Sequence, residues 1–293
     1  MFSIVTDTSA NLDTALLQQR QISVIPFHYY LDGQEQACHE LNAFDGPSYY
    51  AAMRAGHKAS TSQIPPQEYI DFFRPMLERD EDILLVSMSS GISGAYSSAC
   101  MAAHQLREEF PQRQIILVDT FSASLGEGLM VLRAADCRDQ GMSLLDTANF
   151  LNELRYHMCQ VFTVGDLKYL RAAGRLSNLA SMLGIALHIK PLLKGNEEGK
   201  IVGFGKVIGR EKSIRALAEQ YEAYVQDAGA QTVGIAHGDC PRDAALLAEL
   251  LNRNAPPREI MTVCYEPVTG AHVGPGTLAL FFFGDKSFRT AKH

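Results

Sequence analysis

The sequence lacks the features that mark membrane-spanning and nucleic-acid-binding proteins. No run reaches the roughly 18 apolar residues that a transmembrane helix needs. Basic residues are in the minority, with 26 lysines and arginines against 33 aspartates and glutamates and a formal net charge of −7. Nucleic acid is therefore not expected as a partner, because binding to phosphates needs a concentrated basic surface.

Signals for secretion are also missing. The opening residues MFSIVTDTSANL have no basic n-region, and Asp7 interrupts their apolar stretch, so we expect no signal peptide. The six cysteines are scattered and form no C-x-x-C pair, which is typical of reduced thiols. We therefore predict a cytoplasmic protein, with membrane contact no more than transient.

Motifs for nucleotides and metals are absent as well. The chain contains no G-x-x-x-x-G-K-[ST] segment, and GFGKVIG at 203–209 does not follow the G-x-G-x-x-G pattern. No H-x-x-x-H pair or cluster of carboxylates and histidines occurs. We expect neither a metal nor a cofactor.

The first half of the chain alternates apolar runs with helical patterns. FSIVT, DILLV and QIILV are each followed by a polar loop, namely TDTS, SSGISG or DTFSAS, and then by a helical pattern. This order predicts an α/β domain over residues 1–157, with a mostly parallel sheet and helices on both faces. Ligands bind such sheets at the carboxyl ends of the strands. ISVIPFHYY is expected to form one strand, and KASTSQIPP at 58–66 a loop bending over the crevice.

The second half, residues 158–293, predicts an α+β domain. Apolar strands such as TVGIAHG, EIMTVCY and TLALFFFG alternate with helices, and EEGKIVGFGKVIG is expected to form a strand pair. RAAGRLSNLASMLGIALHIKPLL is expected to hold a helical turn, a helix and a strand. The tail DKSFRTAKH is expected to be mobile.

The stretch SMSSGISGAY at 87–96 is the most informative polar loop. Ser93 does not fit a hydrolase nucleophile elbow, because Ala95 stands where G-x-S-x-G requires the second glycine. A tight turn with a serine N-cap is one interpretation. Anion binding is the other, since a glycine-rich turn at a helix start presents free N–H groups and the positive end of the helix dipole.

Two further stretches strengthen the interpretation as a ligand site. STSQ at 60–63 clusters hydroxyl groups before two prolines, although it also suits a capping loop. GAHVGPG at 270–276 places His272 between glycines, next to an apolar strand. A flexible, glycine-walled histidine is an unusual arrangement for a core residue.

Seven motifs in the same order and spacing resemble the DegV family of bacterial fatty-acid-binding proteins. They are DTSANL, TSQIPP, SSGISGAYSSA, VDTFSASLGEGL, DLKYLRAAGRLS, IALHIKPLL and PVTGAHVGPGTLAL. The resemblance implies a two-domain, DegV-like fold with a long-chain fatty acid buried at the domain interface. It implies no catalytic residue in this chain.

The resemblance also implies the residues that hold the carboxylate of the fatty acid. They are Thr61 with Ser62, Ser93 with Gly94, and His272. SMLGIALHI and TLALFFF are candidates to line the acyl chain. Burying a 16-carbon chain at ~0.8 kcal/mol per CH₂ gives on the order of 12 kcal/mol, so the tail supplies affinity and the polar cluster fixes orientation.

Some family members carry the fatty acid for an ATP-dependent kinase, which would make an acyl phosphate. Arg175, Lys206 and Arg210 are the expected partner-facing residues. In KVIGREK at 206–212, Ile208 stands where an arginine is often seen. Two alternatives remain open: an enzyme acting on a phosphosugar-like anion, and a serine hydrolase of lipid esters that uses Ser93.

Overall fold

The computed structural model describes residues 2–37, 43–177 and 188–291. The strands are β1 Phe2–Asp7, β2 Ile22–Ile25, β3 His28–Leu31, β4 Gln34–Ala37, β5 Ala59–Ser62, β6 Asp82–Ser87, β7 Ile115–Asp119, β8 Met158–Thr163, β9 Ile189–Gly195, β10 Ile201–Ile208, β11 Thr232–His237, β12 Glu259–Cys264 and β13 Leu278–Phe283. The helices are α1 Thr14–Gln19, α2 Gly46–Ala55, α3 Pro66–Glu78, α4 Ala95–Glu109, α5 Leu125–Asp139, α6 Leu144–Leu154, α7 Lys168–Ala173, α8 Arg210–Tyr224, α9 Pro241–Asn254, α10 Pro267–Val273 and α11 Ser287–Thr290. Most of the helix predicted after RAAGRLS lies outside the described residues.

The first sheet is parallel and has the order β2-β1-β6-β7. Alternate residues of β1 enter different cores, since Ile4 packs with α5 and α6 whereas Val5 packs with α3 and α4. Helices therefore cover both faces, which is why these strands are apolar throughout. This part of the fold prediction is confirmed.

The predicted single strand ISVIPFHYY is broken at Pro26. Its first part, β2, pairs with β1, and its second part, β3, belongs to a separate antiparallel sheet of order β4-β3-β5. Proline has no N–H to donate to a strand ladder. The next N–H, that of Phe27, is instead bound by Thr8 Oγ1 at 3.0 Å. The prediction of one strand was wrong.

The second large sheet has the order β10-β9-β8-β13-β11-β12. Only β11 and β12 run parallel, and the other neighbours are antiparallel. EEGKIVGFGKVIG contributes one strand, β10, whose partner β9 comes from the preceding apolar segment. The mixed sheet with α8 and α9 packed on one face agrees with the predicted α+β class. The domain boundary after residue 157 stays a prediction.

Helix α5 is packed between the two large sheets. Leu125 and Leu129 share one continuous core with Ile4 of the parallel sheet and Phe281 of the mixed sheet. Gly234 allows the close approach, because a Cβ at this position would lie 2.8 Å from Leu125 Cβ. The two halves of the chain are thus joined by a common hydrophobic core.

The tail beyond β13 is docked through residue 291, so the prediction of a mobile tail was wrong for the described part. Phe288 is fully buried. The guanidinium of Arg289 donates to the carbonyls of Met158 at 2.9 Å, Asn196 at 2.8 Å and Phe121 at 3.2 Å. Burial lowers the pKa of Arg289 to about 10. The tail therefore ties Phe121 of the first half to the second half.

The described cysteines form no disulfide bond. The cysteines in the described ranges, Cys100, Cys137, Cys159, Cys240 and Cys264, are all free thiols, and Cys38 lies outside those ranges. None of the helices that the structure describes is long and apolar enough to span a bilayer.

Replacing Arg289 tests the docked tail. Arg289→Leu would remove the guanidinium donor from the carbonyls of Met158 and Phe121, whereas the carbonyl of Asn196 would still accept from the N–H of Gly199 at 3.0 Å. At ~1–3 kcal/mol for each lost donor, we expect the free energy of unfolding to fall by about 3 kcal/mol. Urea denaturation measures this change. Lys286→Ala, at a neighbouring exposed position, is the control and should stay within ~0.5 kcal/mol of the original protein. Equal effects of the two changes would contradict the docking role.

Candidate functional site

A cavity of about 120 Å³ lies at the carboxyl ends of the parallel strands, between the two large sheets. Its walls come from both halves of the chain. They comprise Phe27, Thr61, Ser62, Gln63, Met88, Ile92, Ser93, Gly94, Ala123, Ser124, Gln160, Phe162, Leu170, Arg175, Ile201, Tyr265, Val268, Thr269, His272, Val273 and Phe281. Thr61, Ser62, Ser93, Gly94 and His272, which are far apart in sequence, are thus brought to one cavity.

Thr61 and Ser62 lie on strand β5, so the prediction of a loop at 58–66 was wrong for residues 59–62. The strand pairs antiparallel with β3, with Tyr29 opposite Thr61 and His28 opposite Ser62. A strand fixes the direction of the Thr61 hydroxyl more firmly than a loop would. Gln63 follows directly, and its amide donates to Ser98 Oγ at 3.3 Å on helix α4.

The loop that carries Ser93 is held by Ser89, a fully buried residue. Ser89 Oγ donates to the carbonyl of Gly199 at 2.8 Å, across to the β9–β10 turn. The carbonyl of Ser89 accepts from the N–H of Ser93 at 3.1 Å. Ser93 Oγ in turn accepts from the N–H of Ala95 at 3.2 Å. Ser93 therefore precedes helix α4, from whose first N–H its hydroxyl accepts, and it also lines the cavity.

The glycines of this loop are explained by close contacts. A Cβ on Gly91 would lie 2.7 Å from the backbone of Gly199, and a Cβ on Gly94 would lie 1.9 Å from Gln63 Oε1. Only a residue without a side chain lets the turn and the β5 segment approach so closely. Of the two glycines, Gly94 lines the cavity.

His272 lies in the last turn of helix α10, not in a flexible glycine-walled loop as the sequence suggested. The carboxyl of Glu266 caps this helix by accepting from the N–H of Thr269 at 2.8 Å and from that of Val268. The glycines after His272 end the helix, with Gly274 at φ 77°. The helix therefore fixes the direction of the imidazole.

The imidazole of His272 forms a hydrogen bond with Thr61, with Nε2 2.8 Å from Oγ1. Burial, and secondarily the positive charge of Arg175, lower the pKa of His272 to about 4. The imidazole is therefore neutral at pH 7. The arrangement offers hydroxyl groups, a neutral imidazole and one nearby cation to a ligand with a negatively charged end.

The basic residues expected to face a partner occupy different positions. Arg175 lines the cavity, and its Nε donates to the carbonyl of Ile92 at 3.3 Å. Lys206 is exposed on β10, next to Ile208, which is 68% exposed. Arg210 lies on α8 and pairs with Asp243, with Nε 2.8 Å from Oδ2. The structure does not bring these three into the same wall of the cavity.

Two segments, SMLGIALHI and TLALFFF, were predicted to line the acyl chain, and the structure describes only the second of them in full. Most of SMLGIALHI, residues 181–187, lies outside the described residues. From TLALFFF, Phe281 lines the cavity, whereas Phe282 points into the core beneath α8 and α9. Strand alternation predicts this division, but not which face carries the cavity.

Several lining residues were not predicted as site residues. Ser124 belongs to DTFSAS, a loop that the sequence places at a strand end, so that location was a usable signal. Gln160 and Tyr265 come from apolar strands or their ends, and nothing in their sequence context indicates a cavity. No group of histidine, cysteine or acidic side chains within the described ranges is arranged to hold a metal ion.

The parallel sheet, the mixed sheet and the cavity between them define an α/β protein with an internal cavity. The model of "Uncharacterised protein, DegV family" matches residues 1–285. A DegV domain-containing protein of Clostridium perfringens is 34% identical over 284 residues, which is 97% of this chain and 98% of that protein. The chain belongs to the DegV family.

Solved structures agree in fold over the same extent. A DegV family protein of Thermus thermophilus, described as binding fatty acid, has a TM-score of 0.87 at 28% identity and covers 97% of this chain and 99% of its own. A fatty acid binding DegV family protein of Streptococcus agalactiae has a TM-score of 0.84 at 27% identity, with coverage of 97% and 99%. The predicted DegV-like fold is confirmed.

The pKa of His272 makes a prediction about stability. Unfolding returns this pKa from about 4 towards 6.5, so the unfolded chain binds the additional proton between these values. The stabilisation that the neutral imidazole contributes is therefore fully present above pH 6.5, and it is lost as the pH falls towards 4. Relative to His272→Gln, we expect a loss of up to about 3 kcal/mol between pH 6.5 and pH 4. Denaturant titrations at several pH values measure the free energy of unfolding of both proteins. If the difference between the two proteins did not change with pH, the assignment would be contradicted.

Proposed function

We propose that this protein binds a long-chain fatty acid in the cavity and holds its carboxylate among Thr61, Ser62, Ser93, Gly94 and His272. The observation that carries the proposal is the convergence of Thr61, Ser93 and His272, from β5, the start of α4 and α10, on one cavity with apolar walls. The fatty acid binding described for the Thermus thermophilus and Streptococcus agalactiae relatives supports it.

The head group needs donors because a buried carboxylate without hydrogen bonds is strongly unfavourable. The hydroxyl of Ser93 supplies one donor. With Nε2–H of His272 donating to Thr61 Oγ1, the Thr61 hydroxyl supplies a second. The N–H of Gly94 adds the positive end of α4. Arg175, whose guanidinium lines the cavity, adds a positive charge at the same end. A carboxylate placed here would also raise the pKa of His272, since it stabilises the protonated imidazole.

The acyl chain takes its affinity from the apolar walls. Phe162, Leu170, Ile201 and Phe281 belong to these walls. At about 120 Å³, the cavity is smaller than the roughly 300–1,000 Å³ of most ligand pockets. Binding of a long chain therefore requires the walls to move apart. Burying the chain at ~0.8 kcal/mol per CH₂ offsets this cost.

Presentation of the bound carboxylate to an ATP-dependent kinase is the second part of the proposal. The chain is then a carrier and the partner brings the nucleotide. Arg175 places a positive charge at the cavity, and Lys206 offers an exposed positive charge on β10 outside it. Arg210 contributes less, because Asp243 already pairs with it. The free thiols favour the cytoplasm as the compartment.

The two alternative functions receive less support. A serine hydrolase needs a base within hydrogen-bond reach of its nucleophile, but in the described residues Ser93 Oγ bonds to the Ala95 N–H and His272 bonds to Thr61. An enzyme for a phosphosugar-like anion would have no use for the apolar walls. Neither alternative accounts for the apolar lining around Phe162 and Phe281.

Lipid extraction from the purified protein, followed by mass spectrometry, tests the ligand class directly. We expect about one long-chain fatty acid per chain, and a protein free of lipid that also fails to take up added palmitate would contradict the proposal. A fluorophosphonate probe should not label Ser93, whereas labelling would favour the hydrolase.

Ser93→Ala tests the carboxylate clamp. The change removes one donor to a charged group, worth ~1.5–3 kcal/mol, so we expect the affinity for palmitate to fall by roughly 10- to 100-fold. The matched control is Ser97→Ala, because Ser97 is exposed on α4 and does not line the cavity. Titration with a fluorescent fatty acid compares the two, and equal affinities would reject the clamp assignment.

Lys206→Glu tests presentation to a kinase. The residue is exposed and outside the cavity, so palmitate affinity should be unchanged. Charge reversal should slow ATP-dependent phosphorylation of the bound lipid by a partner kinase by on the order of tenfold, and less at high salt. Unchanged turnover at low salt would remove Lys206 from the partner surface.

A further inference from the structure

The segment Asp7–Asn11, singled out by sequence as DTSAN, does not line the cavity but bonds to residues that do. Thr8 Oγ1 accepts from the N–H of Phe27 at 3.0 Å. Asp7 Oδ2 accepts from the N–H of Met88 at 3.5 Å. Asn11 donates to Ser124 Oγ at 3.2 Å. One short segment therefore holds three parts of the cavity wall.

Asp7 of this segment and Glu127 of α5 are two carboxyls that share the hydroxyl of Ser9. Asp7 and Glu127 are both fully buried. Ser9 Oγ lies 2.6 Å from Glu127 Oε2 and is also hydrogen-bonded to Asp7 Oδ1. A serine hydroxyl has a single hydrogen to donate. If both carboxyls were ionised, one of these short contacts would join two oxygens with no hydrogen between them.

The hydrogen bonds distinguish the two members of the pair. Asp7 accepts from the N–H of Ser9 at 2.9 Å and from that of Met88, so backbone donors favour its charged form. Glu127 accepts from the hydroxyl of Thr6 at 3.0 Å, and its other oxygen faces Ser9 Oγ. A proton on that oxygen lets Glu127 donate to Ser9, and Ser9 donate to Asp7.

We propose that Asp7 and Glu127 hold a single proton between them at neutral pH, with Glu127 as the neutral member, and that this pair is a positioning element for the cavity wall. Glu127 is in the first turn of α5, where the dipole favours a negative charge by ~0.3–1 kcal/mol. That is less than the cost of burying a second, unpaired charge.

The surroundings of the pair agree with a shared proton. Glu266 and Tyr69 are the other ionisable groups that face it. Within the described ranges no lysine or arginine forms an ion pair with either carboxyl. Burial, followed by repulsion from Asp7, raises the pKa of Glu127 well above its usual range.

Glu127→Gln is the decisive variant, because glutamine reproduces a neutral acid that donates to Ser9 and accepts from Thr6. In the original protein, Glu127 ionises in the unfolded chain but stays neutral in the folded chain. Because the variant has no such group, the folding equilibrium constant of the original protein should fall tenfold per pH unit relative to that of the variant. We expect this decline to continue from pH 6 through pH 8 in urea titrations. If the ratio of the two folding equilibrium constants did not change with pH above pH 6, Glu127 would already be ionised in the folded protein. That result would overturn the proposal.

The binding readout rests on the proposed function, whereas the stability readout does not. Glu127→Gln should keep palmitate affinity within about twofold, because the wall is still held. Asp7→Asn places an amide against the N–H groups of Ser9 and Met88, and should weaken binding about tenfold. Equal losses in both variants would reject the positioning role. Absence of palmitate binding by the original protein would reject the proposed function, and would leave the stability test of the pair intact.

Discussion

Burial of helix α5 on both of its sides is the constraint on which the rest of the structure depends. Its residues belong at once to the core of the parallel sheet and to that of the mixed sheet, so neither sheet can shift without exposing apolar surface. Ser124 just before the helix lines the cavity, and Glu127 in its first turn reaches the acid pair. The cavity lies at the N-terminal end of this helix, where Ala123 and Ser124 line it.

Three of the polar groups at the cavity, those of Thr61, Ser93 and His272, are positioned by groups that do not line it. Ser89 fixes the loop of Ser93, Glu266 caps the helix of His272, and the strand pairing of β5 directs Thr61. Such support matters because the polar groups of a site keep their directions only when neighbouring residues fix their conformations.

The sequence predicted the alternation of strands and helices because each parallel strand is apolar throughout and each is followed by a polar loop. It also predicted the convergence of Thr61, Ser93 and His272, through motifs that only a family resemblance connects. It did not predict the break at Pro26, since Thr8 supplies the partner for the next N–H from another element. Nor did it predict Gln160 or Tyr265 at the cavity, because the alternation of side chains along a strand separates the two faces of a sheet but does not indicate which face lines a cavity.

The contact between Arg289 and the carbonyl of Phe121 spans 168 residues of sequence. During translation at roughly 5–20 residues per second, the arginine is made about 10–30 s after the phenylalanine. In that interval the parallel sheet has its own strands and helices, but the loop after β7 lacks its final anchor. A nascent chain therefore completes this part of the fold, next to the cavity wall at Ala123 and Ser124, only late in synthesis.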